Sequence, residues 1–319
     1  MRHNISENEI AHTPVMWREV LEFAGMTRGV GDNIFVDCTI GEGGHSELLL
    51  QTFADLRIIG FERDEEILEI AKTRLNNYKE KIDFINDNFS NLPEHLESMT
   101  GRISGFLYDF GISSYHFDKS LRGFSLMNDE PLDMRLDKNG RLNAHYIVNE
   151  YPEKKLDEIF HEYGEERWSR KIAREICERR KEKPIETTTE LAALVVKAIP
   201  GRFRVKNIHP ATRVFQAIRI EVNNELTVIR KSLNEAYKFL ASGGIITAIA
   251  FHSLEDRIVK DQFRRLAKGC TCSMPPEHCR CIGKPIVALL TKKPLTPRDD
   301  ELKINRRARS AKLRACKKI

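Results

Sequence analysis

Ile34-Phe35-Val36-Asp37-Cys38-Thr39-Ile40-Gly41-Glu42-Gly43-Gly44-His45-Ser46 reads as a buried strand, a glycine turn and a helix that starts at Ser46. That order puts bare backbone at the carboxyl end of a strand, where open α/β sheets hold nucleotides. Glycines there allow close approach to a ligand and positive φ without a Cβ penalty. A dinucleotide fingerprint requires Gly or Ala three residues after the second glycine. Counting from Gly41 and Gly43, that position is Ser46. About 20 residues further on, where a carboxylate meets ribose hydroxyls, the run Arg57-Ile58-Ile59-Gly60-Phe61 ends in Glu62. With no pyrophosphate cradle encoded, S-adenosylmethionine leads among adenosine-bearing cofactors.

Outward from the turn, β-branched runs alternate with helical periodicity. Strands are expected at Asn33–Cys38, Arg57–Phe61, Ile82–Asn86 and Ile103–Asp109. Helices are expected at Ser46–Phe53, Glu65–Tyr78 and Asn91–Met99. This is the α/β pattern of a parallel, doubly wound sheet. After Asp109 the strand signal stops and helical patterning takes over, at Glu165–Arg180, Glu190–Ala198, Ala211–Asn223 and Leu226–Leu240. The sheet resumes at Ile245–Phe251, so the helical stretch reads as an inserted domain. The expected division is 1–117, an all-helical insertion at 118–222, and 223–319. Pro285–Thr291 and Ala311–Ala315 supply two more strands, the last expected at the sheet edge.

Composition fits a globular protein of about two domains, with 41% hydrophobic and 31% charged residues among 319. No apolar run approaches the roughly 18 residues of a membrane span, and the N-terminus has no secretory apolar segment. A cytoplasmic location is therefore expected, with no membrane partner. Net charge is only +5, yet Leu191–Ile220 carries six basic residues and no acidic one. Lys284–Ile319 carries twelve basic against three acidic. Such segments are either solvated faces or phosphate-binding surfaces.

Several side chains can carry chemistry. The fourth strand ends in Tyr108-Asp109-Phe110-Gly111, which sets Asp109 at the same crevice as Gly43 and Glu62; a turn or capping role is the plainer alternative. The kinase reading of Asp-Phe-Gly fails, because the other kinase signatures are absent. His252 follows the fifth strand and is either functional or a helix cap. Phe89, after the third strand, either flanks an adenine ring or packs in the core. Cys270, Cys272, Cys279 and Cys281 form a C-x-C-x6-C-x-C cluster. Reduced thiols so spaced suggest zinc more than disulfides, although the spacing departs from C-x2-C knuckles. A hairpin of reduced thiols stands beside that reading, and no metal is assigned to the reaction.

The chain resembles a family in many motifs taken in order. They are His12-Thr13-Pro14-Val15, Gly41–Ser46, Asp109–Ser114, Arg122-Gly123-Phe124-Ser125 and Pro131-Leu132-Asp133-Met134-Arg135. Tyr163–Arg167, His209-Pro210-Ala211-Thr212-Arg213, Phe251–Arg257 and Ala308–Arg314 continue the match. The family is that of the bacterial small-subunit ribosomal RNA cytosine-N4 methyltransferases, known as RsmH or MraW. The resemblance implies a Rossmann-like, class I S-adenosylmethionine-dependent methyltransferase sheet with an inserted all-helical domain. It implies that Gly43, Gly44, His45, Glu62, Phe89, Asp109 and His116 line the cofactor site. Glu62 stands where Asp is common, and His116 stands where Gln is usual. The acceptor it implies is the exocyclic amine of a decoding-region cytosine, on small-subunit ribosomal RNA or the 30S subunit.

On that implication Asp109 is the catalytic acceptor for the amine, with His252 second. Arg135, Arg202, Arg204, Lys206 and Arg213 then track RNA phosphates. Tyr115, Phe117 and Phe124 are candidates to stack on an unstacked base. A homodimer is left open. Other readings are weaker. An amine-directed DNA methyltransferase would carry Asn/Asp-Pro-Pro-aromatic after strand four. Ser46 and the helical insertion count against a nicotinamide oxidoreductase. A non-enzymatic RNA-binding protein needs no cofactor pocket.

Overall fold

The computed structural model describes residues 14–205, 208–270, 272, 274, 278, 280, 281 and 283–319. His12 and Thr13 of the first motif, Lys206 and Cys279 lie outside the described residues. The chain divides into two compact units, Met1–Gly111 with Val228–Ile319, and Ile112–Thr227.

The first unit is built on a seven-stranded sheet. Its strands are β1 (Ile34–Asp37), β2 (Arg57–Phe61), β3 (Ile82–Ile85), β4 (Ile103–Asp109), β5 (Leu240–Ala250), β6 (Val287–Leu289) and β7 (Lys312–Lys318), in the order β3-β2-β1-β4-β5-β7-β6. The first five run parallel; β7 is antiparallel to both β5 and β6. Continuous apolar runs such as Ile58, Ile59 and Phe61 belong to strands covered on both faces. Register then fixes the functional edge. Asp37 lies opposite Gly60 on one side and Leu107 on the other, and Asp109 lies opposite Ile249.

One expectation is corrected here. The last strand is not at the edge: β7 sits between β5 and β6, and the three-residue β6 is the edge. An edge strand would be exposed, but Leu313, Ala315 and Cys316 are fully buried. Arg314 is buried too, and its guanidinium meets Asp256 through Nε at 2.6 Å and a second nitrogen at 3.2 Å. A two-bonded ion pair of this kind makes an inward-facing arginine tolerable. Strand β5 also begins at Leu240, five residues before the expected Ile245, with a register irregularity opposite Ile103–Gly105.

The second unit is helical. It contains Ser114–Asp118, Ala144–Glu150, Glu153–Glu162, Ser169–Arg179, Thr188–Ala198 and Thr212–Asn223. Thr187 caps Thr188–Ala198 by accepting from the Glu190 amide, as its Thr-x-x-Glu pattern leads one to expect. The apolar faces close on Phe160, Ile172, Ile176, Leu191 and Ile218. The loop between Ser114–Asp118 and Ala144–Glu150 is stapled internally. The Arg122 guanidinium donates to the carbonyls of Arg135 (2.9 Å) and Leu136 (3.2 Å). Asn223 donates to the Met134 carbonyl and accepts from the Leu136 amide. Gly123 has φ +77°, and a Cβ there would come within 2.3 Å of the Pro131 carbonyl oxygen. The Arg-Gly-Phe-Ser motif is thus a backbone crossing that only glycine permits.

Candidate active site

At the carboxyl edge of the first unit, β1 hands the chain to Gly41–Gly43 and then to the helix Gly44–Thr52. Gly43 is left-handed (φ 85°), and no side chain caps the helix. A Cβ on Gly43 would lie 2.9 Å from Leu75 Cδ1, and one on Gly44 would lie 2.8 Å from Pro14 Cγ. Both glycines therefore sit where a side chain has no room. Uncapped amides at such a helix start favour a carboxylate or phosphate.

Ser46 explains the broken dinucleotide fingerprint. It is fully buried, and its hydroxyl donates to Asp37 Oδ2 at 2.7 Å. The other oxygen of Asp37 accepts from the Thr39 amide at 3.2 Å. Burial pushes the Asp37 carboxyl up, with the Ser46 hydroxyl and the nearby His45 opposing it. Thr39 Oγ1 in turn accepts from the Asp109 amide at 2.7 Å, joining the ends of β1 and β4. Neither Asp37 nor Thr39 stands out in the sequence. The available signal is a strand-end Asp with a Ser nine residues later, which is weak without the register.

The central pair is His45 and Asp109. His45 Nε2 lies 3.5 Å from Asp109 Oδ2, close enough to attract but without hydrogen-bond geometry. His45 Nε2 and Asp109 Oδ1 are both buried atoms with no hydrogen-bond partner. Such orphans are rare in native proteins and mark a place for a ligand or water.

Glu62 follows β2, and its Oε1 accepts from the Asp64 amide at 2.9 Å. Burial raises its carboxyl from the usual 4.5 to about 7, more than the amide bonds and Arg63 lower it. Phe89 follows β3, half-buried, its ring 5.7 Å from Tyr108 and 6.2 Å from Phe110. Asp87, not among the expected site residues, stands two residues before it. Burial pushes the Asp87 carboxyl up, but bonds from His95, the Asn88 amide and Asn91 outweigh that and hold it below the usual range.

The remaining expected residues are placed as follows. His252 caps the helix Ser253–Ala267: Nδ1 accepts from the Glu255 amide at 3.5 Å, while Glu255 accepts from the His252 amide. His116 belongs to the second unit, buried, its ring 4.9 Å from that of Phe124. Phe124 is itself a core residue there and Phe117 packs on the same core, so of the three stacking candidates these two are occupied. Arg135 is occupied in its own loop by both oxygens of Asp133 and by the carbonyls of Lys138 and Gly140. Arg202, Arg204 and Arg213 are exposed. Arg202 lies over the Phe203 ring at 4.8 Å. Arg204 donates to the carbonyls of Val196 and Ile199 at the end of Thr188–Ala198, and Arg213 to that of Glu165.

A parallel sheet with one reversed strand slotted in beside β5, and with a glycine turn and carboxylates along one edge, defines a Rossmann-like methyltransferase of class I. Residues 9–319 match the MraW methylase family, and the chain belongs to that family. It is 44% identical over 313 residues to "Ribosomal RNA small subunit methyltransferase H" of Clostridioides difficile (strain 630), covering 98% of this chain and 100% of that protein. The like-named protein of Clostridium botulinum (strain Loch Maree / Type A3) gives the same identity and coverage. That of Halothermothrix orenii is 44% identical over 312 residues, covering 97% of this chain and 99% of its own. Among the described residues, no helix is long and apolar enough to cross a membrane.

Proposed function

We propose that this enzyme uses S-adenosylmethionine to methylate the N4 amine of a cytosine in the decoding region of small-subunit ribosomal RNA. The family membership and the names of its relatives support the methyl transfer and the ribosomal RNA substrate. The base, the atom and the region rest on the resemblance in motifs and on the site's chemistry. The single observation that carries the reading is Asp109 Oδ1, a buried carboxylate oxygen with no hydrogen-bond partner at the carboxyl edge of β4.

The residues fit the cofactor. Gly43 and Gly44 supply bare backbone, Glu62 would hold a ribose diol, and Phe89 would pack against an adenine. When bound, S-adenosylmethionine supplies a methyl group already activated on a sulfonium. The protein's share is then alignment and electrostatics. Asp109 accepts a hydrogen bond from the exocyclic amine and orients its nitrogen. The Thr39 hydroxyl and His45 position that carboxylate, one through the backbone amide and one beside Oδ2. The amine attacks as the neutral group, and Asp109 Oδ1, which has no hydrogen-bond partner, would accept the proton it sheds afterwards.

The test is to incubate the protein with unmethylated small subunits and labelled S-adenosylmethionine, then identify the product nucleoside by mass spectrometry. N4-methylcytidine is expected; a methyl group on another atom would overturn the assignment. The Asp109→Asn variant keeps the shape and loses the anionic acceptor. Turnover should fall by about 10²-fold or more, with RNA affinity nearly unchanged.

A further inference from the structure

The loop between the helix Ser253–Ala267 and β6 is closed at its base by two glycines. Gly269 has φ +72°, and a Cβ there would fall 2.3 Å from the Lys284 carbonyl oxygen. A Cβ on Gly283 would fall 2.3 Å from the Gly269 carbonyl oxygen. The two backbones thus touch where any side chain would part them. The pairing is reinforced where the Ile286 amide donates to the Leu266 carbonyl at 2.9 Å.

Just inside that crossing stand the thiols of Cys270, Cys272 and Cys281, with sulfurs all within 4.8 Å of one another. The Cys270 and Cys272 sulfurs are 3.4 Å apart, well beyond a disulfide bond. Zinc–sulfur bonds of about 2.3 Å in a tetrahedron place sulfurs about 3.8 Å apart, inside the observed range. Arg265 donates to Cys272 Sγ at 3.9 Å. Its charge would offset the excess negative charge of three thiolates around a divalent ion.

We propose that Cys270, Cys272 and Cys281 form a structural zinc site at the base of this loop. The site lies outside the methyl-transfer machinery and rests on the three described thiols alone. Its role is to tie the two ends of the loop together beside the glycine crossing. The glycine crossing supplies the preorganisation, and the metal supplies the bonds.

The full chain, expressed with zinc in the medium and purified in reducing buffer without chelator, should carry about one zinc per molecule. Cobalt in its place should give the sulfur-to-metal charge-transfer absorption and the strong visible bands of tetrahedral thiolate coordination. Cys281→Ser and Cys272→Ser should each weaken cobalt binding at least tenfold, whereas Cys177→Ser in the helical unit should leave it unchanged. Cys281 is exposed, so its replacement leaves the fold intact, to be checked by circular dichroism. A strong chelator should lower the melting temperature of the parent protein but not of Cys281→Ser. Zinc at background in fully reduced protein would overturn the proposal. So would a Cys270–Cys272 disulfide in freshly purified protein, or Cys281→Ser binding cobalt as the parent does.

Discussion

Glu62 is the residue whose ionisation has a measurable consequence near neutral pH. Its carboxyl is raised by burial to about 7, and in the proposed role it would hold a ribose diol most strongly as the two-acceptor anion. Cofactor affinity should therefore fall as pH drops below 7, approaching tenfold per unit, in calorimetric titrations between pH 8 and pH 6. Stability of the unliganded protein has the opposite sign. The folded value lies above the ordinary 4.5, so this contribution is fully present below 4.5 and is lost as pH rises through about 7. Glu62→Gln should flatten both profiles, and an unchanged affinity profile would remove Glu62 from the site. Glu62 and Asp109 were legible in the sequence because each ends a β-branched run, and strand ends are where such folds bind. The approach of His45 to Asp109 was not. It depends on β1 and β4 being neighbours in a given register, and no local pattern encodes that. Arg135 shows the converse limit: a motif match cannot tell a phosphate-seeking arginine from one already held by Asp133.

At the scale of elements, periodicity located the parallel strands well, because buried strands read as continuous apolar runs. It failed on β7. The strand was expected at the edge, whereas Arg314 points inward and is neutralised by Asp256 on the helix Ser253–Ala267. Removing one partner of a buried pair strands the other charge, so Arg314→Ala should destabilise the protein by about 3 kcal/mol. Urea unfolding will show this as a lower midpoint at similar slope. The short helices of the second unit, such as Ser114–Asp118 and Ala144–Glu150, are silent in the sequence. Helices of five to seven residues have too few turns to show a period. The stapled loop around Arg122 and Asn223 is held by polar bonds to backbone, which leave no periodic trace at all.

For the whole molecule, the proposed RNA contacts follow the division of charge. The second unit presents Arg202, Arg204 and Arg213 at its surface. Removing the charges of Arg202 and Arg204 should weaken RNA binding and flatten its salt dependence. On single-stranded RNA the slope of log affinity against log salt should shrink by about 0.7 for each phosphate no longer neutralised. Filter binding across a salt series checks this, and an unchanged slope would place the RNA elsewhere. Arg204 also holds the carbonyls at the end of Thr188–Ala198, so glutamine is a gentler replacement there than alanine.

The place of β7 in the sheet has a consequence for biosynthesis. Residues 312–318 leave the ribosome after the other six strands of this sheet, yet they occupy an interior position, bonded to β5 on one side and β6 on the other. Until they emerge, β5 presents one unpaired edge, the kind of surface that recruits other chains. Closure of the sheet therefore waits for its last-made strand, and a nascent chain stalled before Lys312 is a natural client for chaperones.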